Sequence, residues 1–106
     1  MSNYTVNRKK WAALSVFDQM GNIGSEVGRS LAAKRRGDEK TAEAAVSRAL
    51  DLFDATSEAW STASGPRTKE LLRSKEQYLE ALDNPATDNG IENYFMQFAI
   101  ASRLNR

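Results

Sequence analysis

The chain has no cysteine and no histidine. The first absence removes a disulfide framework and thiol chemistry. The second removes Ser-His and Cys-His nucleophilic sites, the commonest metal ligand, and the Glu-x-x-His pairs of carboxylate-bridged di-iron bundles. Only an all-oxygen metal site would remain, and no Asp-x-Asp-x-Asp-Gly loop occurs to build one. Neither a metal nor a cofactor is therefore expected. No window approaches the ~20 apolar residues of a membrane span. The polar, basic stretch from Met1 to Lys10 has no apolar signal region behind it, so a cytoplasmic protein away from membranes is expected. Charge of one sign is also lacking: 15 Lys and Arg face 14 Asp and Glu, a net charge of +1. No whole-molecule field gathers nucleic acid, and only local basic clusters could do so.

What the chain does have is glycine in an unusual place. Gly21, Gly24 and Gly28 fall inside a stretch that otherwise reads as helix. Each interior glycine costs a helix ~1 kcal/mol relative to alanine, so their clustering needs a cause. The flanking apolar residues, Val16, Met20, Ile23, Val27 and Leu31 among them, keep one phase on both sides of the glycines. A break there would lose that phase. The pattern thus predicts one long helix from Asn7 to Arg36, with the glycines within ~60° of one another on its wheel. Such a stripe suits close approach by a second helix, or a groove for a ligand or partner backbone. Gly37 after Lys34-Arg35-Arg36 is the expected stop.

Pro66 and Pro85 divide the remainder. A second helix is predicted over Asp38 to Ser61, capped by Asp38, with Ala42, Ala45, Val46, Ala49, Leu52, Phe53, Thr56 and Trp60 on one face. A third runs from Pro66 to Leu82 after Ser64-Gly65, its apolar face made by Thr68, Leu71, Leu72, Tyr78, Leu79 and Leu82. A fourth runs from Asp88 to Leu104, capped by Thr87 or Asp88. The aromatics Trp11, Phe17, Phe53, Trp60, Phe95 and Phe98 sit at helical spacing and read as core. Short connections favour antiparallel neighbours. The expected fold is all-α: an antiparallel four-helix bundle with a long, glycine-striped first helix, forming one domain over residues 1–106 with 1–6 flexible.

Two constellations stand out. Lys75 falls in the middle of the third helix's apolar face. A lysine there must snorkel to water, pair with a carboxylate, or serve a ligand, because an unpaired buried charge is costly. Glu26 is the expected partner, with Arg29 one turn away, so Glu26, Arg29 and Lys75 are candidate ligand-binding residues around a buried pair. The other constellation is the ridge Met96, Ile100 and Leu104, a second apolar row on the last helix and a candidate interface.

The run Asn22-Ile23-Gly24-Ser25-Glu26-Val27-Gly28-Arg29 resembles the opening helix of a group of small all-helical prokaryotic proteins of uncharacterised activity. The closing run from Tyr94 to Arg103 is similar to the last helix of the same group, and the likeness covers most of the chain. It implies a helical fold and a prokaryotic cytoplasmic setting, and no activity. A looser similarity to small helical ribonucleases and nucleotidyltransferase partners stops at their Arg…His motif, since no histidine is present.

The expected function is a non-enzymatic interaction module that forms a homodimer or docks on a partner protein. The alternative is a small-ligand or nucleic-acid-processing protein with its site around Glu26, Arg29 and Lys75.

Overall fold

Helix boundaries follow the side chains that can satisfy free backbone amides. The computed structural model describes residues 5–60, 65–87 and 89–104. Within them lie five helices: α1 (Arg8–Ala12), α2 (Val16–Arg35), α3 (Glu39–Trp60), α4 (Gly65–Asp83) and α5 (Ile91–Leu104). The described residues contain no strand.

The expected continuous first helix is in fact two. Asn7 caps α1 by accepting from the Lys10 amide, and Ser15 caps α2 by accepting from the Asp18 amide. Ser15 has extended backbone (φ −65°, ψ 160°), so the chain turns there and restarts. The break lies at Ala13–Ser15, not at the glycines, and α2 passes through Gly21–Gly28 uninterrupted. Gln19 splints the corner. Its Nε2 donates to the Trp11 carbonyl at 3.0 Å, and its Oε1 accepts from Trp60 Nε1 at 3.0 Å. The Trp11 indole donates to Thr56 Oγ1 at 2.9 Å. Both tryptophans and Gln19 are thereby buried with their polar atoms bonded, as a low-dielectric interior demands.

The end of α2 is as expected. Gly37 takes φ 77°, its amide bonds to the Lys34 carbonyl and the Asp38 amide to the Ala33 carbonyl. This double bond pattern closes the helix on a left-handed residue that favours glycine. Asp38 then caps α3 through the Thr41 amide, and the bonds from Thr41 hold its carboxyl below the ordinary value. Asn89 accepts from the Ile91 amide at the start of α5, where Thr87 or Asp88 was expected to cap. Asp88, like Ser61 and Ser64, lies outside the described residues.

The core is an aromatic knot drawn from three helices. Phe53 of α3 stacks on Tyr78 of α4 with ring centres 6.0 Å apart, and meets Phe95 of α5 edge-on at the same distance. Ile23, Val27 and Leu31 of α2 complete it. The chain has a radius of gyration of 13.4 Å, close to the ~13 Å of a well-packed chain this long.

The glycine stripe is where α5 crosses α2. Gly21 faces Ala99, Gly24 faces Phe95 and Gly28 faces Glu92, so the two helices run in opposite directions. A Cβ on Gly24 would lie 2.6 Å from the Phe95 Cβ, a contact no packing tolerates. The glycine cost to α2 is offset by this close approach.

The apolar face of α4 departs from expectation. Its buried residues are Leu71, Ser74, Tyr78 and Ala81, whereas Leu72 and Leu79 are exposed. Tyr78 decides this rotation. Its ring stacks on Phe53, and its hydroxyl meets Ser30 Oγ of α2 at 2.6 Å in the interior. Burial pushes its pKa up to about 12, the bond with Ser30 opposing and the Glu26 charge adding to the rise. Phe17, expected in the core, is also exposed, because the restart at Ser15 turns it toward the flank of α2.

Candidate functional site

Glu26, Arg29 and Lys75 do not converge. Glu26 projects from α2 toward α3, and its side chain is 14% exposed. One oxygen accepts from Arg29 Nη1 at 2.6 Å, the other from Arg48 Nε at 2.9 Å. Both carboxylate oxygens are thus held by guanidinium groups. Lys75 lies on the α3 side of α4, with its Nζ 3.8 Å from Asp54 Oδ1, a partner that is mostly in solvent. The expected Lys75–Glu26 pair is replaced by an arginine pair and a loose surface contact. The reason is the rotation of α4 about Tyr78, which moves Lys75 from the centre of the buried face to its margin. Sequence reasoning missed Arg48. The available signal was its position on the edge of the α3 apolar face, between Ala45 and Leu52, where a long cation can reach a neighbouring helix.

A second polar strap ties the chain's beginning to α3. Asp51 accepts from the Val6 amide at 2.7 Å and from Arg8 Nη1 at 2.9 Å. Among the described residues, no three acidic side chains gather as a metal cluster, and no helix is long and apolar enough to cross a membrane.

Two surfaces remain without an internal explanation. The first is the outer face of α5. Phe95, Ala99 and Ser102 point inward, and Ser102 donates to the Asp18 carboxylate of α2. On the opposite side Met96, Ile100 and Leu104 are 53%, 45% and 79% exposed. Asn93 lies within the row, and Gln97 and Arg103 flank it on either side. The charged residues Glu92 and Arg103 sit on the edge toward α2, where Glu92 receives Arg35 at 2.7 Å.

The second surface is a groove along the junction of α4 and α5. At one end it opens into a cavity of about 360 Å³ over Phe17, Met20, Trp60, Leu71 and Phe98, with Arg67 at the rim. At the other it continues as a shallower depression of about 520 Å³ bordered by Lys69, Arg73 and Gln77. Glu70 and Tyr94 line both. The Tyr94 hydroxyl donates to Glu70 Oε1 at 2.6 Å. Burial and the Glu70 carboxylate both raise the Tyr94 pKa, so the phenol stays protonated. Phe98 meets the Tyr94 ring edge-on at 5.3 Å. No buried side-chain polar atom among the described residues lacks a partner.

Comparison with protein-family models, with curated proteins and with solved structures finds no match for the chain.

Proposed function

We propose that the chain is a non-enzymatic helical interaction module, in a prokaryotic cytoplasmic setting, that pairs with a second copy of itself through the outer face of α5. In this reading the four long helices form an antiparallel bundle, with α1 as a strap over α3. The observation that carries it is the uncharged row Met96, Ile100 and Leu104 on a helix whose other face is already packed. In a chain with 27% charged residues, an apolar row with its flanking charge at the margin suits the centre of an interface, from which charges are depleted. A like surface on a second copy also meets it without repulsion.

The magnitudes set the kind of dimer expected. Fully burying a large apolar side chain contributes ~1.5–3 kcal/mol. Six such residues in a two-fold pair, each already partly covered, contribute on the order of 5–10 kcal/mol gross. Association itself costs ~4 kcal/mol or more. The result is a weak, concentration-dependent dimer. The positions of Glu26, Arg29 and Lys75 lend no support to the alternative of a ligand or nucleic-acid site built on them.

Sedimentation velocity over a dilution series tests the reading. The parent should move from dimer toward monomer as it is diluted. Ile100→Glu, which places a charge at the middle of the row, should sediment as monomer throughout. A parent that stays monomeric at the highest concentration, or an Ile100→Glu profile superimposable on a dimeric parent, overturns it.

A further inference from the structure

We infer that the groove between α4 and α5 binds a small amphipathic anion, a carboxylate with an aliphatic or aromatic body, with the body in the cavity over Trp60 and Phe98 and the carboxylate at Arg67.

Three observations combine. The cavity has the size of a ligand site, at the lower end of the ~300–1,000 Å³ range. A benzene-sized molecule needs ~150 Å³, so this cavity takes a body of about two rings or a chain of about ten carbons. Its walls are mostly apolar, the Trp60 indole N–H is already given to Gln19, and the Tyr94 hydroxyl to Glu70. A polar body would be desolvated there without a partner.

The rim supplies the charge. Arg67, Lys69 and Arg73 make no ion pair with any described residue. Glu70, the carboxylate between them, is occupied by the Tyr94 hydroxyl. At the cavity mouth one cation, Arg67, stands beside one carboxylate, Glu70, whose Oε1 is taken by Tyr94, and Lys69 and Arg73 add positive charge along the adjoining depression.

The third observation is where those cations sit. They occupy the first half of α4, whose first turn contains no acidic residue. Cations near a helix N-terminus oppose the macrodipole and cost ~0.3–1 kcal/mol each at the very end. Arg67, alone of the three in the first turn, adds nothing to the helix there, but an arriving anion meets both its guanidinium and the favourable end of the dipole. Arg67 can hold a carboxylate with two parallel N–H bonds, which a lysine cannot do.

The two tryptophans make the test internal. Trp60 lines the cavity, and Trp11 is buried elsewhere against Thr56. Full-length protein is titrated by NMR with decanoate, kept below its micelle concentration, and separately with the neutral decanamide. Decanoate should shift the Trp60 indole N–H saturably and leave that of Trp11 in place. Arg67→Gln, an exposed and fold-neutral change, should weaken decanoate about tenfold, the value of one charge-assisted contact, and leave decanamide unchanged. Val16→Phe, which narrows the cavity mouth, should weaken both. Ile100→Glu should alter neither, so failure of the dimer reading leaves this result standing, and the reverse.

Equal affinity for decanoate and decanamide, or indifference to Arg67→Gln, overturns the assignment of an anion. Binding to anionic phospholipid vesicles without saturable decanoate binding overturns it in favour of a membrane surface. A Trp60 shift that follows protein concentration instead of ligand overturns it in favour of a side chain from a second copy.

Discussion

α2 and α4 are nearly the same length, 20 and 19 residues, and both cross the core, but they are held by opposite means. α2 is gripped at its backbone. Gly21 and Gly24 let α5 approach to van der Waals distance, and the side chains between them fill what space is left. α4 is gripped by one long side chain. Tyr78 reaches Phe53 and Ser30, and the helix turns to suit it, leaving Leu72 and Leu79 in solvent. Contact at the backbone is intolerant of a single methyl group. Contact through a ring is tolerant of bulk along the rest of the helix and sensitive to one hydroxyl.

The sharpest break in this comparison is a single added Cβ. Gly24→Ala should destabilise by about 2–3 kcal/mol in chemical denaturation, despite alanine's better helix propensity, because the Phe95 Cβ cannot move away. Gly28→Ala is the control on the same stripe. There the nearest atom is the end of the Glu92 side chain at 4.0 Å, so this variant should be neutral or up to ~1 kcal/mol more stable. Equal losses at the two positions would mean that the stripe is not read at the Gly24–Phe95 crossing.

Tyr78→Phe probes the other grip. At neutral pH it should cost about 1–2 kcal/mol through the lost hydroxyl bond. Its alkaline behaviour is more specific. Tyr78 is held protonated, with its pKa raised from 10.0 to about 12. Its contribution is fully present below the unfolded value and is lost as pH climbs from about 10 through about 12. The parent should therefore shed on the order of 2 kcal/mol across that window through this group, beyond what Tyr94 contributes, and Tyr78→Phe should lack that part of the slope. Parallel stability–pH curves for the two proteins would remove Tyr78 from the argument.

The smallest effects separate the two ionic contacts. Glu26→Gln takes a carboxylate from between two guanidinium groups at a largely covered position, and should cost about 1–2 kcal/mol. Lys75→Met should change stability by less than ~0.5 kcal/mol, because its partner Asp54 is solvated and 3.8 Å away. The two sites should be additive in the double mutant. A strong coupling between them would restore the pairing expected from the sequence.

Much of the fold was legible one segment at a time. Gly37 closed its helix as read, Asp38 opened the next, and α5 does lie on the glycine stripe. Those features depend on residues within a turn of one another, or on a missing side chain that has one geometric use. The split at Ser15 was written locally too, in a serine three residues before an aspartate, but a periodic apolar arc outweighed it. Gln19 and Ser30 were illegible as core, because each is buried by what it bonds on another helix or across a break.

The candidate surfaces divide the same way. The row Met96, Ile100 and Leu104 could be read from spacing of three to four residues, and it is exposed as a second face would be. The α4–α5 groove could not. Its floor joins Met20, Trp60, Leu71 and Phe98 from four helices, and nothing in one dimension sets which of them share a wall. By itself the sequence marked the chain as helical, placed most of the helix ends, and pointed to a glycine stripe suited to close approach by a second helix or to a groove. The tertiary structure decided how α4 is rotated, which arginine holds Glu26, and which cations have no ion-pair partner among the described residues. Each of those depends on the reach of a side chain between helices far apart in the chain, and local periodicity carries no information about that distance.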